Sequence, residues 1–239
     1  MLLNLSLIFA INQINKKQSW PFEGILGFFD YAAAQRGYQV YKEVCASCHS
    51  MQNMKFNNLI DIGFSEEESK TVAQSFIIHD ELDEFGNLIA RKRELKDSFP
   101  SPYKNENEAK LANNGINPPD LSCIIKARPD GANYVYSILT GYKSAPKNFH
   151  LQDGLYYNEY FPGNQIGMPE PLYNDIVKYQ DGTHASIEQL ARDVVIFLQY
   201  SSEPEMQTKK SLGLKIILFL IVFTILCYFT KNIIWKDIK

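Results

Sequence analysis

Cysteine is scarce in this 239-residue chain: four in all, too few to staple a secreted disulfide module. No second Cys pair accompanies the one close pair, and the histidines outside it are scattered, which argues against a zinc site. Basic charge is missing where a nucleic-acid binder would need it. Residues 1–207 carry 18 Lys and Arg against 26 Asp and Glu, a balance of the wrong sign for neutralising phosphates. Residues 208–239 reverse it, six basic against one acidic, so the two parts of the chain do not share an environment. Strand signals are sparse, which points to a mainly α fold. With 45% hydrophobic and 21% charged residues, disorder throughout is excluded, and the length suits one or two domains.

The charge that is absent from Ile216 to Phe229 marks the second feature. The apolar run Leu212 to Thr230 covers 19 residues, roughly 28 Å of helix at about 1.5 Å per residue, close to a hydrocarbon thickness. Lys215 can snorkel toward headgroups, and Tyr228 and Trp235 suit an interface, so 208–230 is expected to be a transmembrane anchor with 231–239 as a tail. Lysines flank the run on both sides, and the charge rule for orientation is silent. At the other end, Leu2 to Ile11 is apolar but holds Asn4 and Ser6 and lacks a basic leader region. Residues 1–20 therefore read as an atypical signal or leader segment, with 21–207 as the domain.

What is present carries chemistry. Cys45-Ala46-Ser47-Cys48-His49 is a C-x-x-C-H run, the pattern in which two thiols add to the haem vinyls and the next imidazole becomes an iron ligand. Two intervening residues place both sulfurs on one side of a helical turn. The segment Asp30 to Val44 spaces apolar residues helically behind an Asp able to cap it, so a helix over 30–49 is expected to lead into the motif. One covalently attached haem c is expected. Such attachment takes place outside the cytoplasm, which puts the domain on the outer face and the C-terminus inside.

The opposite iron face decides between an electron carrier and an open site for a small ligand. Met51 and Met54 lie too near His49 to cross to that face, and Met206 adjoins the anchor. Met168 remains, in the loop Gly163-Asn164-Gln165-Ile166-Gly167-Met168-Pro169, where glycines permit close approach and prolines stiffen the chain. His79, His150 and His184 stay open as rivals.

Five blocks then carry a resemblance: RGYQVYKEVCASCHSM at 36–51, ANNGINPPDLS at 112–122, KARPDGANYVYSILTGY at 126–142, GLYYNEYFPGNQIGMPEPL at 154–172 and ARDVVIFLQYSSEPE at 191–205. Together, and in this order, they resemble the cytochrome c1 family, the haem subunit of ubiquinol:cytochrome c oxidoreductase (the cytochrome bc1 complex). The resemblance implies an axial pair His49 and Met168, with haem contacts at Asn113, Pro118, Pro119, Arg128, Tyr134 and Phe161. Chemistry agrees with that carry-over. Arg128 offers a guanidinium fork to a propionate, Tyr134 a hydroxyl to the other, and Phe161 with the diproline a wall against water.

The resemblance further implies an elaborated cytochrome c-type domain with long irregular loops, because His49 and Met168 stand 119 residues apart. It implies a place in the respiratory chain, with cytochrome b and the Rieske iron-sulfur protein as partners in a dimeric complex, and a soluble cytochrome c as acceptor. A bacterial plasma membrane is favoured over an organelle inner membrane by a leader poor in Arg. Acidic runs at Glu66 to Glu68 and Asp80 to Glu84 are candidates for steering a basic carrier, or simply solvated faces. Two other classes share the haem motif: a tail-anchored cytochrome serving a terminal oxidase, and an open-site haem enzyme or sensor. The remaining elements expected are an irregular stretch over 50–112, a helix at about 131–141, loops to 184 and a helix over 186–201. Cys123 and Cys227 are expected to be inert buried thiols.

Overall fold

The computed structural model describes residues 15–236. Most of the expected leader, residues 1–14, lies outside the described residues, as do 237–239 of the expected tail. The fold is mainly helical, as expected, and its core sits between two helices far apart in sequence.

The first, α1 (Tyr31–Glu43), starts where Asp30 accepts a hydrogen bond from the Ala33 amide, satisfying one of the free donors of the first turn. Its buried face, Ala33, Ala34, Gly37, Tyr38, Val40 and Tyr41, follows the three-and-four spacing of a helix stripe. The expected helix over 30–49 is not continuous. It stops at Val44, and Cys45–Ser47 forms a separate 3-10 turn.

The stretch expected to be irregular, 50–112, holds regular elements: α2 (Asn58–Asp61), α3 (Glu66–Gln74), a hairpin of β1 (Ile77–Leu82) with β2 (Leu88–Lys92), and α4 (Glu106–Ala112). Local signals explain them. Ser65 and Glu68 form a reciprocal capping box at the start of α3. At the hairpin turn, Asp83 accepts from the amides of Phe85 and Asn87, and Gly86 takes the left-handed φ of +81°. The hairpin strands are exposed along most of their length, so no alternation of apolar and polar residues announced them.

Helix α5 (Gly131–Leu139) carries the middle block. A short pair follows, β3 (Tyr156–Tyr157) with β4 (Gln165–Ile166). Helix α6 (Ile187–Ser202) is capped by Ser186 and buried from Leu190 to Ser202 except for Arg192. Leu190, Val194, Val195 and Leu198 of the expected stripe lie in the core, with Ile187 packed at its edge. The α1–α6 packing is the largest contact between helices among the described residues. It includes Arg36 of α1 gripping the fully buried Asp193 of α6 through two bonds of 2.9 and 3.0 Å.

Residues 15–20, assigned on sequence to the leader, are held on α5. The Lys16 amide donates to Ser137 Oγ at 2.7 Å, the Gln18 amide to Asn133 Oδ1, and the Trp20 indole to the same oxygen at 2.9 Å. At the far end, α7 (Met206–Ile234) is longer than the apolar run, because Gln207, Thr208, Lys209 and Lys210 add a polar turn ahead of it, behind the N-cap Glu205, and residues 231–234 continue it. It is the one helix among the described residues long and apolar enough to cross a membrane.

The two spare cysteines correct the sequence reading: both are exposed. Cys123 points outward between the buried Ser122 and Ile124, and Cys227 lies in the apolar run of α7, which this chain does not cover.

Candidate haem-binding site

The site starts at the end of α1. The 3-10 turn is closed by the amides of Cys48 and His49, both donating to the Cys45 carbonyl at 3.1 and 2.9 Å. That tight turn presents the two half-buried thiols and the imidazole from one short piece of backbone. Burial, with Cys48 beside it, pushes the Cys45 thiol up to about 12, so it stays a neutral thiol at ordinary pH.

His49 is oriented by the diproline. Its Nδ1 lies 2.8 Å from the Pro119 carbonyl oxygen. A carbonyl only accepts, so Nδ1 carries the proton and Nε2 keeps a free lone pair. Burial holds the imidazole below its ordinary value, against the opposing pull of the Pro119 carbonyl and the Asp120 carboxylate, which favours the neutral ring a metal needs.

Asp120, not singled out on sequence, fastens this arrangement. One oxygen accepts from Ser50 Oγ at 2.7 Å and the Gln52 amide at 2.9 Å, and the other accepts from the Ser122 amide at 2.8 Å. The Leu121 amide adds a bond to the Ser50 carbonyl. The segment after His49 is thus sewn to the segment after Pro119. An Asp two residues before Ser, directly behind a diproline, is the signal that would have found it.

Met168 is half-buried and packs against the core, whereas Met51, Met54 and Met206 are core residues in full. Its rivals His79, His150 and His184 are all exposed. Tyr142 donates its hydroxyl to the Met168 carbonyl at 2.9 Å, a positioning contact also missed on sequence. Burial raises the Tyr142 hydroxyl, keeping it a donor at any physiological pH. A Cβ at the neighbouring Gly167 would collide with the Ile116 side chain. The 113–119 segment therefore reaches both halves of the site, His49 through the Pro119 carbonyl and the Met168 loop through Ile116.

The other expected contacts divide. Arg128 and Tyr134 are half-buried neighbours: burial raises the Tyr134 hydroxyl, and the Arg128 guanidinium beside it pulls the other way. Pro118 is half-buried, Pro119 exposed, and Phe161 half-buried at the start of a 3-10 turn, Pro162–Asn164. Asn113 is engaged elsewhere. Its amide nitrogen donates to the Ala109 carbonyl at 2.7 Å and the Tyr103 hydroxyl at 2.9 Å, closing the end of α4. No cluster of three or more His, Cys, Asp or Glu able to hold a bare metal ion occurs among the described residues. The donor set instead fits a haem: paired thiols on one turn, a neutral imidazole with one nitrogen tied back, and a thioether in a pinned loop.

Comparison with known proteins agrees with this chemistry. The sequence profile of the Cytochrome C1 family matches residues 20–238. Cytochrome c1 2, heme protein, mitochondrial, of Arabidopsis thaliana is 42% identical over 220 residues, covering 92% of this chain and 72% of the relative. Cytochrome c1 of Rhodospirillum rubrum is 41% identical, covering 93% of this chain and 88% of the relative. The cytochrome b-c1 complex catalytic subunit, mitochondrial, of Candida albicans is 42% identical, with 92% and 77% covered. A site assembled from these blocks, matched over nearly the whole chain, has one assignment: the chain belongs to the cytochrome c1 family.

Proposed function

We propose that this chain is a membrane-anchored one-electron carrier of the cytochrome bc1 complex, taking electrons from the Rieske iron-sulfur protein and passing them to a soluble cytochrome c. Cytochrome b is the membrane partner, and the chain acts as a subunit of ubiquinol:cytochrome c reductase within a dimeric complex. The family assignment supports the role. The single observation that carries the carrier reading is the His49–Pro119 contact, which leaves one imidazole nitrogen free beside two thiols on one turn.

Cys45 and Cys48 would hold one haem c covalently, and His49 and Met168 would supply the nitrogen and the sulfur that bind its iron. When bound, the haem supplies an iron that changes oxidation state by one electron. The chain's own part is to hold and to exclude. The Pro119 carbonyl fixes the His49 ring, Asp120 fixes Pro119, and Tyr142 fixes the backbone of Met168, so little has to reorganise between oxidation states. Arg128 and Tyr134 are placed to meet carboxylates of the cofactor with a charged and a neutral donor. Pro118 and Phe161 would shield the ring, and Asn113 would contribute through its carbonyl oxygen, its nitrogen being engaged.

The domain is read as running from about Asn15 to 207, with any cleaved leader ending before Asn15, then a single transmembrane segment within α7 and a short inner tail. The chain is assigned to a bacterial plasma membrane with the haem domain on the periplasmic side. An optical spectrum of the reduced, membrane-extracted protein with and without carbon monoxide tests the reading. A c-type spectrum unmoved by carbon monoxide is expected, and a prompt shift would mean an open iron and overturn it.

A further inference from the structure

Ahead of α1, the chain makes a short loop whose tip is apolar and uncovered. Ile25 is 73% exposed, Leu26 81% and Phe28 56%. Single exposed apolar residues are ordinary, but three within four positions on one rigid loop are a patch in want of a cover. The base is rigid. Trp20 stacks on Phe22 at 5.5 Å, Phe22 and Phe29 are buried, and Phe29 meets Tyr200 of α6 edge-on at 5.5 Å. The Phe28 amide donates to the Pro21 carbonyl at 2.9 Å and closes the neck.

The loop is also fastened to α7. Lys210 Nζ donates to the carbonyls of Phe22 at 2.6 Å, Gly24 at 2.7 Å and Gly27 at 3.4 Å, and Tyr31 and the Phe29 amide both meet Gln207. Lys210 stands two residues before the apolar run opens at Leu212, about 3 Å along a helix axis, and six before its charge-free part at Ile216, about 9 Å. The tip therefore sits at the height where α7 would leave water.

We propose that the 24–28 loop is a second membrane contact, seating Ile25, Leu26 and Phe28 at the headgroup boundary of the leaflet that α7 enters and so fixing the tilt of the domain on its anchor. This rests on reading α7 as a membrane span. Two observations choose lipid over a protein partner. The tip, Gly-Ile-Leu-Gly-Phe, offers no side chain that could form a hydrogen bond or ion pair to register a partner, and an acyl boundary requires none. Two of the loop's carbonyls, those of Gly24 and Gly27, are also met by an ammonium of its own chain, which lowers the usual penalty for taking bare backbone out of water. Lys209 and Lys215 nearby suit anionic headgroups.

The test uses the full haem-loaded chain, with Cys123→Ser and Cys227→Ala removing other thiols, reconstituted into vesicles of phosphatidylcholine doped with phosphatidylglycerol. A nitroxide label is placed at Leu26→Cys, at Ile25→Cys as a second position, at Glu84→Cys on the exposed hairpin, and at Val222→Cys in α7. The loop labels are expected to be several-fold more accessible to oxygen and several-fold less accessible to a water-soluble nickel chelate than the Glu84→Cys label. Loop labels as aqueous as Glu84→Cys, with Val222→Cys in lipid, would overturn the loop proposal alone. An aqueous Val222→Cys would overturn the anchor reading beneath it. In the assembled complex, loop labels shielded from both reagents would assign the patch to a protein partner and overturn the lipid contact.

Discussion

Gly37→Ala probes the contact on which the fold of the haem domain depends. Gly37 lies in the middle of α1, facing α6, and a Cβ there would overlap the Asp193 carbonyl oxygen while standing 2.6 Å from its carbon and 2.8 Å from Phe197 Cβ. Backbone cannot rotate away as a side chain can, so α1 and α6 would have to separate. Alanine in place of glycine in a helix gains about 1 kcal/mol, whereas forcing an atom into a packed core costs about 3 kcal/mol, so the net loss is about 2 kcal/mol. For a domain of this size that lowers the thermal midpoint by about 4–8 °C. Thermal unfolding of the full chain in detergent, followed by far-ultraviolet circular dichroism and haem absorbance, reads it. Gly213→Ala is the control, because nothing lies within 4 Å of a Cβ at that helix position. It should be neutral or slightly stabilising. If Gly37→Ala behaves like Gly213→Ala, the two helices do not cross as closely as described and the reasoning fails.

Three further outcomes are expected. Tyr142→Phe removes the one side-chain donor to the Met168 carbonyl and should cost about 1 kcal/mol while letting reduced protein bind carbon monoxide measurably, which the unaltered protein should resist. Arg91 beside Asp97 holds that carboxyl down at about 2, below its ordinary 3.8, so its stabilising contribution is present above the ordinary value and is lost as pH falls through about 2. Accordingly, the β1–β2 hairpin should resist pepsin better than in Asp97→Asn at pH 4, and most of the difference should be gone by pH 2. Replacing Glu66 and Glu67 together by Lys, while leaving the capping Glu68 in place, should slow electron transfer to a basic soluble cytochrome at low ionic strength, and an unchanged second-order rate would remove the steering idea.

Much of the site was legible in the sequence because its chemistry is local. Two thiols and an imidazole within five residues report their own geometry, and the 19-residue run from Leu212 reports its own surroundings. Asp30, Ser65 and Ser186 announce the starts of helices through bonds that span three residues. Even the missed α3 and hairpin were written locally, in a capping box and a turn with Asp83 at its start and Gly86 at its left-handed position, but their exposed faces carry no burial period to reinforce those signals.

The sequence by itself determined the mainly helical class, the haem motif, the membrane-length helix and, through five ordered blocks, the family. Only the tertiary structure decided which partners serve those residues: that Pro119 ties the His49 ring, that Asp120 and Tyr142 hold the supports, that Asn113 is taken up by α4, and that Lys210 binds the 24–28 loop to α7. Each joins residues whose pairing no periodicity encodes, across separations of up to 188 positions. Motifs are fixed by spacing along the backbone, whereas these contacts depend on which surfaces α1 and α6 bring together when they pack.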